Sequence, residues 1–138
     1  MHHLRRLRLT RTRALAVGAL VLVLAACTPE DMARWTTYAR PLAGGQTIPC
    51  AQWLGTSRVA GWTDDLIPTL HALMWAESRC DPSAHSPSGA SGLMQEMPAW
   101  AAACGGTPAE LFDPLFALRC ALVILATQGW QAWSTYPP

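Results

Sequence analysis

Apolar residues follow three different patterns along this chain. From Ala14 to Ala26 they form an unbroken run. That run is too short for a helix spanning a bilayer, which takes about 20 apolar residues. Farther on, Leu66, Leu70, Leu73 and Met74 recur at i, i+4, i+7 and i+8, which is one face of a helix. Thr63 is placed to cap that helix, with Asp64 and Asp65 in its first turn and Pro68 early enough to be tolerated. It is expected to run to about Arg79 and to stop before Asp81-Pro82. The segment from Cys80 to Gly92 shows no period and is rich in Pro, Ser and Gly, so it reads as a loop. Pro98 then opens a helix to Cys104, stopped by Gly105-Gly106. Thr107 and Glu110 match a capping box. Asp113-Pro114 starts the longest helix, Leu115 to about Gln128, with Gly129 as its end. A last short helix holds Trp130 and Trp133. Strand signals are weak, and the only place for a small hairpin is the Cys80–Gly92 loop. The expected class is a mostly α, small helical domain.

The ends and the composition bear on where such a domain works. Arg5, Arg6, Arg8, Arg11 and Arg13 precede the apolar run with no acid among them, the layout of a secretory signal. The run closes as Leu24-Ala25-Ala26-Cys27, which resembles the bacterial lipobox. That resemblance implies removal of residues 1–26, lipidation of Cys27, and a membrane anchor for an exported protein. Residues 27–49 then read as a tether, with one helical turn around Met32–Tyr38, and 50–138 as the folded domain. Beyond the run the chain keeps five arginines against nine acids, a net charge of about −4. That leaves no electrostatic footprint for nucleic acid. Four further cysteines, Cys50, Cys80, Cys104 and Cys120, read as two disulfides in a small exported domain. None has the C-x-x-C spacing of a zinc site. Of the three pairings, Cys50–Cys80 and Cys104–Cys120 is preferred, because each bridge then closes a local loop.

One residue breaks the pattern. The stripe Leu70, Leu73, Met74 leads next to Glu77. A carboxyl there continues an apolar face at the C-terminal end of a helix. Burial and the negative end of the helix dipole both favour the protonated form. A protonated carboxyl near neutral pH is what a general acid requires. The competing reading is a helix face that turns to solvent at this point.

The residues around Glu77 favour the first reading. They run Glu77-Ser78, then Pro82, Ser86-Pro87-Ser88-Gly89-Ala90, Gly92-Leu93-Met94-Gln95 and Met97-Pro98. This series closely resembles the catalytic core of the soluble lytic transglycosylases, lysozyme-like enzymes that cleave peptidoglycan. The resemblance implies a lysozyme-like helical domain with a Pro/Ser/Gly-rich active-site loop. It implies that Glu77 is the catalytic acid/base, that Ser86 faces the substrate, and that Gln95 and Met97 line the sugar groove. Gly89 and Gly92 correspond to glycines that let the backbone turn near the cleft, and Ser78 to a structural serine. The family's A-Y-N motif, whose tyrosine reaches the catalytic site, has a looser counterpart. Tyr136 is close to its place, but Pro137 stands where the asparagine would be. Trp75 and Trp100 are expected in the core.

The implied chemistry takes one carboxyl, no metal and no cofactor, and its partner is the peptidoglycan glycan strand. Two other readings remain open at this stage. Asp81 reads as a turn residue. Glu96 stands where the family more often has an apolar residue, and its bland reading is a solvated side chain. Its sharper reading is the second carboxylate of a lysozyme-type hydrolase. The other alternative is a catalytically silent wall-binding lipoprotein, for which the shortened end after Tyr136 is the main support.

Overall fold

The computed structural model describes residues 40–137 continuously, together with residues 28–30, Ala33 and Tyr38. The expected signal segment, Cys27 and most of the turn expected at Met32–Tyr38 lie outside the described residues. Within residues 40–137 the α-helices are α1 Leu54–Ala60, α2 Ile67–Ser78, α3 Pro98–Ala103 and α4 Pro114–Gln128. Short 3-10 turns stand at Ala43–Gly45, Ala51–Trp53, Pro108–Phe112 and Trp130–Ala132. Among the described residues there is no strand, only bridges pairing His85 with Ser91 and Ser91 with Glu96.

Helix α2 is the centre of the core. Ile67, Leu70, Leu73 and Met74 are fully buried and cluster with Leu93, Met94, Leu111 and Leu118. Of the stripe read from the sequence, Leu70, Leu73 and Met74 are on the buried face, whereas Leu66 is the partly buried N-cap residue and Ile67 takes its place in the core. His71 is buried beside it, with its ring nitrogens 2.9 Å from the Pro49 carbonyl and 3.0 Å from Ser57 Oγ. Burial holds its pKa below the ordinary value. Three indole N–H groups tie separate segments to this core. Trp62 donates to the Leu118 carbonyl at 2.9 Å, Trp53 to Cys80 at 3.0 Å, and Trp133 to Met94 at 2.9 Å.

The helix ends follow local chemistry. Glu110 accepts from the Thr107 main-chain N–H at 2.8 Å, the returning half of the expected capping box. Asp113 caps α4 by accepting from the Phe116 N–H at 2.8 Å, and Gly129 ends it at φ 72°. The disulfides are Cys50–Cys80 and Cys104–Cys120, the pairing that closes local loops. In the loop-entropy account a bridge over about 15 residues contributes roughly 3 kcal/mol.

Three expectations need correction. Helix α2 starts at Ile67, not at the Thr63 cap, so no acid lies in its first turn. Asp64 instead receives Arg58 Nε at 2.9 Å and Arg40 Nη2 at 2.8 Å, and the Arg58 hydrogen bond holds its carboxyl below the usual range. The packed unit also begins before Cys50. The chain divides after Thr37, and Leu42 and Ile48 are buried in the core of the second unit, which also contains both disulfides. Lastly, Trp75 is 48% exposed, with the Arg79 guanidinium 4.9 Å from its ring centre; it is a surface residue, not a core one.

Candidate active site

Glu77 sits in the last turn of α2. The chain leaves that helix through two left-handed residues, Arg79 at φ 55° and Cys80 at φ 68°. The reversal sends the following loop back past the helix end, and the Cys50–Cys80 disulfide fixes its exit. Asp81 closes the first turn by accepting from Ser83 N and Oγ at 2.8 and 2.7 Å. Those bonds lower its pKa, so it is the turn residue expected.

The loop is stapled by its own polar groups. The Ser86 N–H donates to the Ala90 carbonyl at 2.9 Å, and the Ala90 N–H donates to Ser86 Oγ at 3.0 Å. Ser86 and Ser88 hydroxyls lie 2.8 Å apart. Gln95 has left-handed backbone, φ 51°, and its side-chain amide donates to the carbonyls of Ala84 and Gly92 at 3.1 and 3.0 Å. Gln95 thus ties the loop as well as facing the cleft. Gly92 allows no side chain: a Cβ there would stand 1.9 Å from the Leu111 carbonyl oxygen, and φ is +76°.

A cleft of about 260 Å³ opens beside Glu77. Ser86, Ser88, Ala90 and Gln95 line it from the loop, and Ala132, Trp133 and Ser134 from the C-terminal segment. Glu77 itself is half-buried, and its Oε1 accepts the Thr135 hydroxyl at 2.5 Å. A smaller pocket of about 70 Å³ shares Gln95, Ala132 and Trp133 with the cleft and adds Glu96, Met97, Trp100 and Ile124.

Glu77, Ser86 and Gln95 therefore line one cleft. Met97 lies at the smaller pocket, 44% exposed. Ser78 is buried, its hydroxyl donating to the Met74 carbonyl at 3.1 Å, a structural role. Tyr136 is not among the residues lining either pocket. It stacks on Trp130, with centroids 5.9 Å apart and planes at 14°. The neighbour that reaches Glu77 is Thr135, which sequence reasoning passed over. Its only signal was its place beside the tyrosine sought there.

Glu96 is also corrected. It is 3% exposed, with neither carboxylate oxygen hydrogen-bonded. Burial pushes its pKa well above the ordinary value. Its own main-chain N–H opposes this shift, and the nearby Glu77 carboxyl adds to it.

The family model described as Transglycosylase SLT domain matches residues 62–132, just over half of the chain. The chain belongs to the transglycosylase SLT domain family. The match spans α2, the stapled loop, Glu77 and Gln95, and it stops at Ala132, before the segment that carries Thr135. No curated protein and no solved structure matches the chain. An SLT domain implies the lysozyme-like fold and transglycosylase-type activity on peptidoglycan. Its two disulfides fit a protein outside the cytoplasm.

Proposed function

We propose that this chain is a peptidoglycan lytic transglycosylase that cuts the β-1,4 bond between N-acetylmuramic acid and N-acetylglucosamine, with Glu77 as its single acid/base. The observation that carries this reading is the position of Glu77: half-buried, at a helix end, on the cleft of an SLT domain, and hydrogen-bonded, among the described residues, through one oxygen only. Thr135 donates to Oε1, which leaves Oε2 to carry the transferable proton. In the first step that proton passes to the bridging oxygen as the C1–O bond breaks. The substrate's own N-acetyl group stabilises the positive charge at C1. The Glu77 carboxylate then takes the proton from the C6 hydroxyl, whose oxygen bonds to C1 and forms the 1,6-anhydro end. The acid is regenerated and no water is consumed.

The lysozyme-type alternative needs a second, ionised carboxylate as nucleophile or base. Glu96 is buried without a partner and pushed toward its neutral form, which favours the single-acid route. A silent wall-binding module would have no evident use for the Thr135–Glu77 hydrogen bond. We also propose that the exported protein is anchored through lipidated Cys27, which would hold the domain near the wall.

Digestion of purified peptidoglycan sacculi with residues 28–138, disulfides intact, tests the reaction type. Mass spectrometry should find anhydro-ended muropeptides. Free reducing ends in their place would indicate the hydrolase, and folded protein that binds the wall without cutting would indicate the module.

A further inference from the structure

Ser88 carries no motif-implied role, yet it stands on the Glu77 cleft. It is exposed and lines the loop wall beside Ser86, Ala90 and Gln95. The side-chain donors and acceptors of that wall can be counted. Gln95 directs its side-chain nitrogen to the carbonyls of Ala84 and Gly92, so both hydrogens are used and only its oxygen, an acceptor, is left for a ligand. Ala90 has no polar side chain. A side-chain donor from this wall must therefore come from Ser86 and Ser88, whose hydroxyl oxygens lie 2.8 Å apart. Two serines carry two hydroxyl hydrogens, and one of these lies between the two oxygens. The other has no protein partner among the described residues. Ser86 Oγ already accepts the Ala90 N–H at 3.0 Å. If Ser88 donates to Ser86, the Ser86 oxygen is full as an acceptor, its own O–H is free, and Ser88 keeps open lone pairs. If Ser86 donates to Ser88, the free O–H is on Ser88 and each oxygen keeps an open lone pair. In both arrangements the pair offers one donor with an acceptor close beside it.

We infer that Ser88 is a substrate-contacting specificity residue, which joins Ser86 in holding a free hydroxyl group of the glycan strand. One hydroxyl can meet both serine oxygens at once, accepting from the free O–H and donating to the open lone pair. An acetamido group is a poorer match, because the C=O and N–H of a trans amide point in opposite directions. The bridging oxygens of the strand have no hydrogen to give. The ligand group is therefore an unsubstituted sugar hydroxyl. The inference rests on the reading of the Glu77 cleft as a glycan site. It goes beyond the motif-implied roles, which cover Ser86 and not Ser88.

The test uses residues 28–138 with both disulfides and with Glu77→Gln to prevent cleavage. The probe is chitotetraose, a tetramer of N-acetylglucosamine, measured by calorimetry. Adding Ser88→Ala should weaken binding by about threefold to tenfold, the worth of one hydrogen bond. Adding Ser88→Thr, which keeps the hydroxyl, should leave binding within about twofold, a fraction of that same bond. Equal binding by the Ser88→Ala protein would overturn the inference and leave the hydroxyl to solvent. A Ser88→Thr protein as weak as Ser88→Ala would also overturn it, since the loss would then belong to the shape of the loop. Failure of the Glu77→Gln protein itself to bind would instead remove the glycan-site reading, and the inference with it. The β-carbon resonance of ¹³C-labelled Ser88 reads contact with no substitution at that position. It should move when the tetramer is added, and a resonance that stays fixed counts against contact.

Discussion

The two walls of the cleft are built in different ways. The loop wall, from Ala84 to Glu96, is held mostly by bonds within itself: Ser86 to Ala90, Gln95 to Ala84 and Gly92, and Ser91 to Glu96. The C-terminal wall, Ala132 to Thr135, is held by distant partners. Trp133 is 6% exposed and donates to Met94, and Thr135 reaches Glu77. The first wall is a local object whose shape follows from a short run of residues. The second is a product of packing and depends on the rest of the fold being in place. The Glu77 carboxyl lies on a cleft lined on one side by the loop, and it meets the other side through the Thr135 hydroxyl.

That contrast can be broken from either side. The largest effect should come from Gly92→Ala. The new methyl meets the Leu111 carbonyl and must adopt a left-handed backbone, so a loss of about 2–5 kcal/mol is expected. Denaturant unfolding of the disulfide-intact protein measures it. On the other wall, Trp133→Phe keeps a buried ring but leaves the Met94 carbonyl unpaired. It should cost about 1–3 kcal/mol, and cleavage of sacculi should fall by more than the folded fraction does. An activity loss that only tracked unfolding would mean the C-terminal wall is scaffolding alone.

Thr135→Val should sharpen the difference. It removes one hydrogen bond from Glu77, so turnover should drop by about tenfold. Stability should change little, and Thr135→Ser should recover most of the rate. An unchanged rate would show that this contact does not help the acid. The smallest effect concerns Glu96. Its folded pKa is raised, so its favourable contribution to stability is complete below the ordinary glutamate value and is lost as pH rises toward the folded value. Glu96→Gln does not titrate. It should therefore match wild type in Tm near pH 4 and exceed it at pH 7. Equal Tm values at both pH values would mean that the carboxyl is solvated or paired in solution.

Much of the loop wall was legible in the sequence because its information is local. Pro, Ser and Gly marked the loop, the α2 stripe pointed to Glu77, and short loop closure selected the observed disulfides. The C-terminal wall was not legible in the same way. Thr135 meets Glu77 across 58 positions, and no spacing rule connects them. Tyr136 was expected near the site from a motif, yet its ring is taken up by Trp130. Glu96 was misjudged because it lies in a bridged turn opposite Ser91, where neither helical nor strand periodicity tells which way a side chain points. Leu42 and Ile48 were missed for a related reason. They are isolated apolar residues among Pro and Gly, and only tertiary contact makes them core.

The most direct test of Glu77 as the single acid/base compares wild type and Glu77→Gln on sacculi under identical conditions, counting anhydro-ended products over time. Removing the proton donor should lower the rate by about 10²–10⁴-fold while the Tm stays close to that of wild type. A folded Glu77→Gln protein that still released anhydro-muropeptides at a comparable rate would contradict the assignment.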